Sequence, residues 1–408
     1  MKSLLVQEYL KTHTFAELER DHGVEVSFSK LGHKFSLNYS MINSKNDDEL
    51  ANQCRGVILA ATDHRSYLVE AKEANGRFKY DDVCPGETKI ISCPFFRFFN
   101  AGQDCAAKIN WNDPKLKVYE KLDGSMCAIY YSPIDDKWHV STRSCPEADI
   151  LMDNGRFTFR DLFIKGVEET LNINFDQFTN LLYKGFTYIF ELTSAWNRIV
   201  CDYPETRITL LGIRGLYSLE EVPLGPIDLC KSFPLVPHHD LSDIDAALNY
   251  VADRDPMKFE GVVVCDSNFN RIKIKNINYI AINKLVDYIG HSDRNILRLI
   301  LNEKDDDALA VLSKEICEQI LKVKSDLKIF LKTYDNTYMM LKGYADKKCP
   351  GDRKAFAELV RDFNITWSDP IFAMYSGKTK NTLDYILKKK NEGTWHNSFI
   401  DKLLEMIK

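Results

Sequence analysis

The sequence predicts an α+β protein, with antiparallel sheets over residues 1–280 and a separate all-helical domain over 281–408. Three observations lead there. Up to about residue 280, short runs rich in β-branched and aromatic residues alternate with turn residues, the pattern of antiparallel sheet. Beyond Tyr279, apolar residues recur at helical intervals between breaks rich in Gly, Pro or Asp. A composition of 45% hydrophobic and 28% charged residues is that of a globular chain, and 408 residues suffice for two or three cores.

The opening stretch MKSLLVQEYL turns polar at Gln7 and Glu8 and has no small-residue cleavage site, so it is not read as a leader. No run of eighteen apolar residues occurs, and no membrane partner is expected. The eleven cysteines form no CxxC pair and no Cys/His cluster spaced for zinc, which favours reduced thiols and a cytoplasmic location. A net charge of −5 gives no global attraction to a polyanion, so contact with nucleic acid would need a local basic surface.

The strand-like runs are CRGVILAAT, LKVYEK, CAIYYS, KWHVSTR, FTYIFELTS, RITLLGIRGLYS, GVVVCDS and RIKIKN. Helical insertions are expected at Asp161–Leu182 and Leu241–Ala252. The helical domain begins with NKLVDYIG and DRNILRLILNE and closes with WHNSFIDKLLEMI.

One stretch invites chemistry. YEKLDGSM, residues 119–126, sets Lys121 between a strand and an Asp-Gly pair. Asp-Gly alone reads as a hairpin turn. A buried lysine, however, is costly unless its charge is used or removed. Downstream lie Glu191 in FTYIFEL, Glu260 with Gly261 in FEGVVV, and Lys273 and Lys275 in RIKIKN. Strand alternation puts Lys273 and Lys275 on one face, where like charges are unfavourable without an anion between them. Such a set suits a nucleotide polyphosphate and a divalent metal. Lys121 would attack the α-phosphorus of a nucleotide once desolvation or nearby cations had lowered its pKa. Glu260 and Glu191 would hold Mg²⁺, which prefers oxygen ligands. Lys273 and Lys275 would neutralise the transferring phosphoryl group and the leaving pyrophosphate.

In that order, Lys121-Leu122-Asp123-Gly124-Ser125, Glu191, Glu260-Gly261 and Lys273-Ile274-Lys275 resemble motifs I, III, IV and V of the covalent nucleotidyltransferases, the superfamily of ATP-dependent ligases and capping enzymes. Arg55-Gly56 upstream, SCPFFRFFN at 92–100 and the helical domain after motif V are similar to the bacteriophage T4 RNA ligase 1 family. The resemblance implies a nucleotidyltransferase (ATP-grasp-like ligase) domain with adenylyltransferase activity, ATP as AMP donor, and Mg²⁺ or Mn²⁺. It implies that Arg55 and Arg97 bind the β and γ phosphates, although the family has lysine where Arg97 stands. It implies that Leu211 and Val263 hold adenine. Its implied substrate is RNA with 5′-phosphate and 3′-hydroxyl ends, such as a broken tRNA, with an end-healing kinase/phosphatase as partner. A monomer of viral source, in the host cytoplasm, is the accompanying expectation. A DNA ligase or capping guanylyltransferase would share the lysine motif but carry a small β-barrel after motif V. A non-catalytic protein that binds RNA ends is a third alternative.

Four other features stand apart from this set. Ser376-Gly377-Lys378-Thr379 lacks the first P-loop glycine, since Phe372 stands there, and reads as a loop between helices. His238 and His239 are adjacent and read as a loop surface. The segment Trp196-Asn197-Arg198 after Glu191 has no assigned role. LKKKN, from Leu387, offers a basic cluster for RNA phosphates.

Overall fold

The computed structural model describes residues 2–407 except 68–71, 75–76, 80–82, 226–230, 291, 310–311 and 392–395. It divides into two compact units, Met1–Ile280 and Ala281–Lys408.

Among its described residues the first unit contains three larger sheets. In the first, β1 (Val24–Phe28), β2 (Lys34–Tyr39), β3 (Arg55–Ala61) and β6 (Thr88–Ser92) lie in that order; β4 (Lys72–Ala74) and β5 (Arg77–Lys79) pair separately. Its inner face, with Leu37, Val57 and Leu59, is covered by Leu10, Phe15 and Leu18 from helices Leu5–Leu10 and Phe15–His22. These helices were not expected from the sequence. Helices of six and eight residues are too short to develop a visible period. The readable signal was Thr14-x-x-Glu17, a capping box in which each residue's side chain accepts the other's backbone N–H.

The second sheet runs β10 (Lys137–Ser141), β9 (Ser125–Ser132), β13 (Phe186–Thr193), β14 (Arg207–Gly215) and β15 (Glu221–Val222). Helix Phe159–Leu171 buries Phe163 and Val167 against Ile129, Phe190 and Ile208 of this sheet. With Phe175–Thr179 it forms the first expected insertion; Ile244–Ala252 is the second. A small hairpin, β11 (Leu151–Met152) with β12 (Phe157–Thr158), precedes the long helix.

The third sheet runs β16 (His238–His239), β8 (Lys117–Lys121), β17 (Gly261–Cys265), β18 (Arg271–Lys275) and β7 (Phe99–Asn100), the last pair parallel. His238 and His239 therefore form an edge strand and not the expected loop, because their backbones pair with Tyr119 and Val118. The hairpin reading of Asp-Gly also fails. β8 and β9 belong to different sheets, and Leu122–Gly124 crosses from one to the other.

In the second unit every regular element among the described residues is helical, including the 35-residue Lys314–Lys348. One core gathers Ile296, Leu327, Phe330, Trp367 and Ile400; another gathers Leu341, Phe356, Ile371 and Met374. No helix among the described residues is long and apolar enough to cross a membrane.

Candidate active site

Lys121 ends β8 opposite Gly261, and Gly261 in turn lies opposite Lys275. In β18, Ile272 and Ile274 point into the core, so Lys273 and Lys275 share the other face. Glu260, 3% exposed, immediately precedes β17. Its Oε2 accepts from Lys121 Nζ and its Oε1 from Lys275 Nζ, each at 2.8 Å. The protein thus supplies an anion to Lys275, but shares it with Lys121 and not with Lys273. This crossing leaves no room for a side chain at Gly261: its φ is +152°, and a Cβ would lie 2.2 Å from the Ile274 carbonyl oxygen.

Asp123 is buried and anchors the turn. Its Oδ2 accepts the backbone N–H groups of Val200 and Cys201 at 2.9 and 2.7 Å, and its Oδ1 accepts the Tyr279 hydroxyl at 2.6 Å. Gly124 permits close approach to β13, since a Cβ there would lie 2.4 Å from the Leu192 carbonyl oxygen. Its N–H donates to Glu191 Oε1 at 3.2 Å. The segment after Glu191 now has a role: Asn197 Nδ2 donates to Ser125 Oγ and to the Leu192 carbonyl, clamping the turn to β13. Trp196, half exposed, packs edge-on against Phe157.

The electrostatics differ from the expectation for Lys121. Burial pulls its ammonium down, but Glu260, Glu191 and Asp123 together outweigh that and leave its pKa above the ordinary value. The depressed amine is Lys273, brought to about 7 by burial and then by Lys121, Lys275 and Arg55. Burial first, and then the neighbouring Glu260 charge, push the Glu191 carboxyl up to about 7 against the opposing pull of Lys121.

These groups border a cleft of about 250 Å³. Lys121, Glu191, Lys273, Lys275, Arg55, Leu211 and Val263 all line it. Arg55, its charge disfavoured chiefly by burial, donates to Met126 Sδ at 3.2 Å and faces the Phe98 ring, as does Lys273. Arg97 is placed differently. Its guanidinium lies between the rings of Tyr39 and Phe99, at 4.3 and 4.9 Å, donates to Asn46 Oδ1 and does not line the cleft. The cleft instead receives Arg143 and Phe98, which the sequence reading did not single out. A lone arginine after a strand carries no local signal; Phe98 stood inside the quoted SCPFFRFFN.

Among the described residues no three acidic, His or Cys side chains gather as a metal site. Glu260 and Glu191 nonetheless fit a hard cation in donor type. Glu260 is balanced by two ammonium groups, and burial raises the pKa of Glu191.

A cationic, partly aliphatic cleft with a lysine at its edge is the kind of site that holds a nucleotide. Residues 53–279, more than half of the chain, match the family described as RNA ligase, of the T4 RNA ligase 1 group, and the chain belongs to that family. It is 26% identical over 281 residues to a protein described as a bifunctional polynucleotide kinase/RNA ligase of Autographa californica nuclear polyhedrosis virus; the match covers 67% of this chain but only 37% of that one. It is 25% identical over 343 residues to an RNA ligase of Rhodothermus phage RM378, covering 68% of this chain and 75% of that one. Among solved structures, an archaeal ATP-dependent RNA ligase is matched at a TM-score of 0.40 and 14% identity, over 88% of this chain and 77% of that one.

Proposed function

We propose that the chain is an ATP-dependent RNA ligase that joins RNA 5′-phosphate and 3′-hydroxyl ends, with residues 1–280 as its adenylyltransferase domain. The supporting observation is the convergence of Lys121, Lys273, Lys275 and Glu260 beside a cleft walled by Leu211 and Val263. Adenine lies between Leu211 and Val263, and the phosphates face Arg55, Lys273 and Lys275. Arg143 adds to that cationic wall. Arg97 would reach a phosphate only by leaving its place between Tyr39 and Phe99.

Lys121 leaves Glu260, gives its proton to solvent water and attacks the α-phosphorus with the freed nitrogen lone pair. A phosphorus–nitrogen bond forms, the α–β anhydride breaks, and pyrophosphate departs. An RNA 5′-phosphate oxygen then displaces the lysine from AMP. A 3′-hydroxyl finally attacks that 5′-phosphate, forming the phosphodiester and expelling AMP. Lys273 and Lys275 offset charge on the transferring phosphoryl group. Glu260 and Glu191 would hold Mg²⁺ or Mn²⁺, which supplies further charge neutralisation at the polyphosphate when bound.

The RNA substrate in this reading is a broken tRNA or similar strand, and the partner is a kinase that supplies 5′-phosphates. The viral relative, described as a kinase/ligase, supports that pairing. A monomer in the cytoplasm is the form assigned.

Incubation with Mg²⁺ and α-labelled ATP or GTP, followed by peptide mapping, tests the reading. Label from ATP on Lys121, chased by 5′-phosphorylated RNA, is the expected result. Full labelling of Lys121→Ala, or labelling from GTP alone, sinks it.

A further inference from the structure

A second charged cavity, of about 490 Å³, lies wholly within the helical unit. Its walls come from helices Arg353–Asp362, Asp369–Tyr375 and Thr382–Asn391 and from the loop that carries Ser376-Gly377-Lys378-Thr379. That loop is no phosphate cradle. Gly377 N–H donates to the Met374 carbonyl and Lys378 N–H to the Ala373 carbonyl, so these two backbone donors are spent on capping the preceding helix. The side chains are what the cavity offers a ligand most prominently.

Those side chains have a distinct chemistry. Arg353, Lys378, Lys388 and Lys389 line the cavity together with a single carboxylate, Asp369, so cations predominate in its lining. Among the described residues Arg353, Lys378 and Lys388 form no ion pair, while the Lys389 ammonium lies over the Tyr385 ring. Cations gathered round a concavity repel one another until an anion enters. Aromatic surface adjoins them. Phe356, fully buried, stacks face to face with half-buried Tyr375 at 3.7 Å and 4°, which leaves Tyr375 as the more open end of the stack. Thr379 also lines the cavity, is 7% exposed, and its buried hydroxyl has no hydrogen-bond partner. An unsatisfied buried hydroxyl is unfavourable and gains by meeting a ligand oxygen.

We propose that this cavity binds one nucleotide unit, with its phosphate among Lys378, Lys388 and Arg353 and its base against Tyr375. A bare anion would leave the aromatic wall unused, and an apolar ligand would strand the cations. A phosphate ester joined to a flat ring satisfies both. The unit comes either from an RNA strand or from a free mononucleotide. The assignment is independent of the chemistry at Lys121 and goes beyond it.

Hydrogen exchange on the full chain, read peptide by peptide, separates this cavity from the cleft. The probes are AMP, a 5′-phosphorylated RNA hexamer and, as a control without a base, ribose 5-phosphate. Peptides within 353–389 are expected to gain protection with AMP or the hexamer at concentrations where ribose 5-phosphate has little effect. Lys378→Glu and Lys388→Glu, both at exposed positions, should weaken half-saturation there on the order of tenfold. Thr379→Val should weaken it while leaving the melting temperature unchanged or higher. Peptides spanning 117–127 should respond as in the unaltered protein. Protection by AMP assigns the free nucleotide as a sufficient source, and protection by the hexamer alone assigns a strand. Equal protection by ribose 5-phosphate, or none with any probe, overturns the proposal. Lys121 labelling on the same samples keeps the two readings apart: labelling without protection at 353–389 removes the cavity assignment alone, and protection without labelling removes the ligase reading alone.

Discussion

The Tyr279 hydroxyl donates to Asp123 Oδ1 at 2.6 Å across 156 positions of sequence. Burial, followed by the Glu260 and Asp123 charges, raises the phenol's pKa, so the bond keeps its proton on the tyrosine at any working pH. The turn that presents Lys121 is therefore held from its far side by a residue beyond the last strand of the domain.

Removing Asp123 leaves three donors without their acceptor: Val200 N–H, Cys201 N–H and the Tyr279 hydroxyl. Asp123→Ala should cost about 3 kcal/mol or more of stability. Tyr279→Phe should cost about 1 kcal/mol. Urea denaturation measures both, and equal losses would contradict the anchoring role of Asp123.

Glu260→Gln removes the carboxylate that raises the Lys121 pKa. Lys121 should then titrate at lower pH, followed by NMR of ¹³C-methylated lysines. Adenylylation should nevertheless fall at least tenfold, because the two lysines lose their shared anion and the metal loses a ligand. An unchanged or higher Lys121 pKa would contradict the electrostatic account.

Lys273 gives a pH signature. Its folded-state pKa is about 7 against an ordinary 10.5. Between those values the unfolded chain binds more protons, so stability rises with pH across the window. Below about 7 the cost of its buried charge is present in full. Lys273→Met should therefore raise the melting temperature of the nucleotide-free protein more at pH 6 than at pH 10. A shift of the same size at both would show that Lys273 titrates as an exposed lysine.

Arg143 and Arg97 should part company. Arg143 lines the cleft, so Arg143→Ala should raise KM for ATP in adenylylation several-fold with little change in melting temperature. Arg97 fills the space between two rings, and Arg97→Ala should cost about 1–2 kcal/mol through lost packing and cation–π contact. A reversal of these two phenotypes would place the phosphate contact at Arg97.

Gly261→Ala forces a methyl to within 2.2 Å of a strand carbonyl oxygen. A loss above about 2 kcal/mol is expected, seen as a lower melting temperature and coupled to loss of adenylylation. A fully stable variant would show that the β17–β18 crossing can relax.

Much of this was legible from local chemistry. RIKIKN alternates so strictly that the common face of Lys273 and Lys275 follows from the pleat, and FTYIFELTS and GVVVCDS lie on strands as their composition requires. What local patterns cannot carry is partnership. Glu260 stands 139 positions from Lys121; the order of the motifs assigns both to one site, but their direct 2.8 Å contact appears only in the fold. Asp-Gly reads as a surface turn because that is its usual use, whereas here Asp123 is buried and its three partners lie far along the chain. The raised pKa of Lys121 was hidden for the same reason: its sign depends on carboxylates that only the fold assembles.

The step between sheets at Leu122–Gly124 has a mechanical consequence. Four peptide links separate the end of β8 from the start of β9, a tether of about 14 Å at full stretch. Asp123 and Gly124 are already pinned within it. The two sheets therefore cannot part at this corner, and the buried Arg271–Glu221 ion pair, 2.6 Å at its shorter contact, joins them again between β18 and β15. Leu211 and Val263, one from each sheet, thus meet an incoming ring from walls tied together at two points, more like a riveted bracket than a pair of jaws.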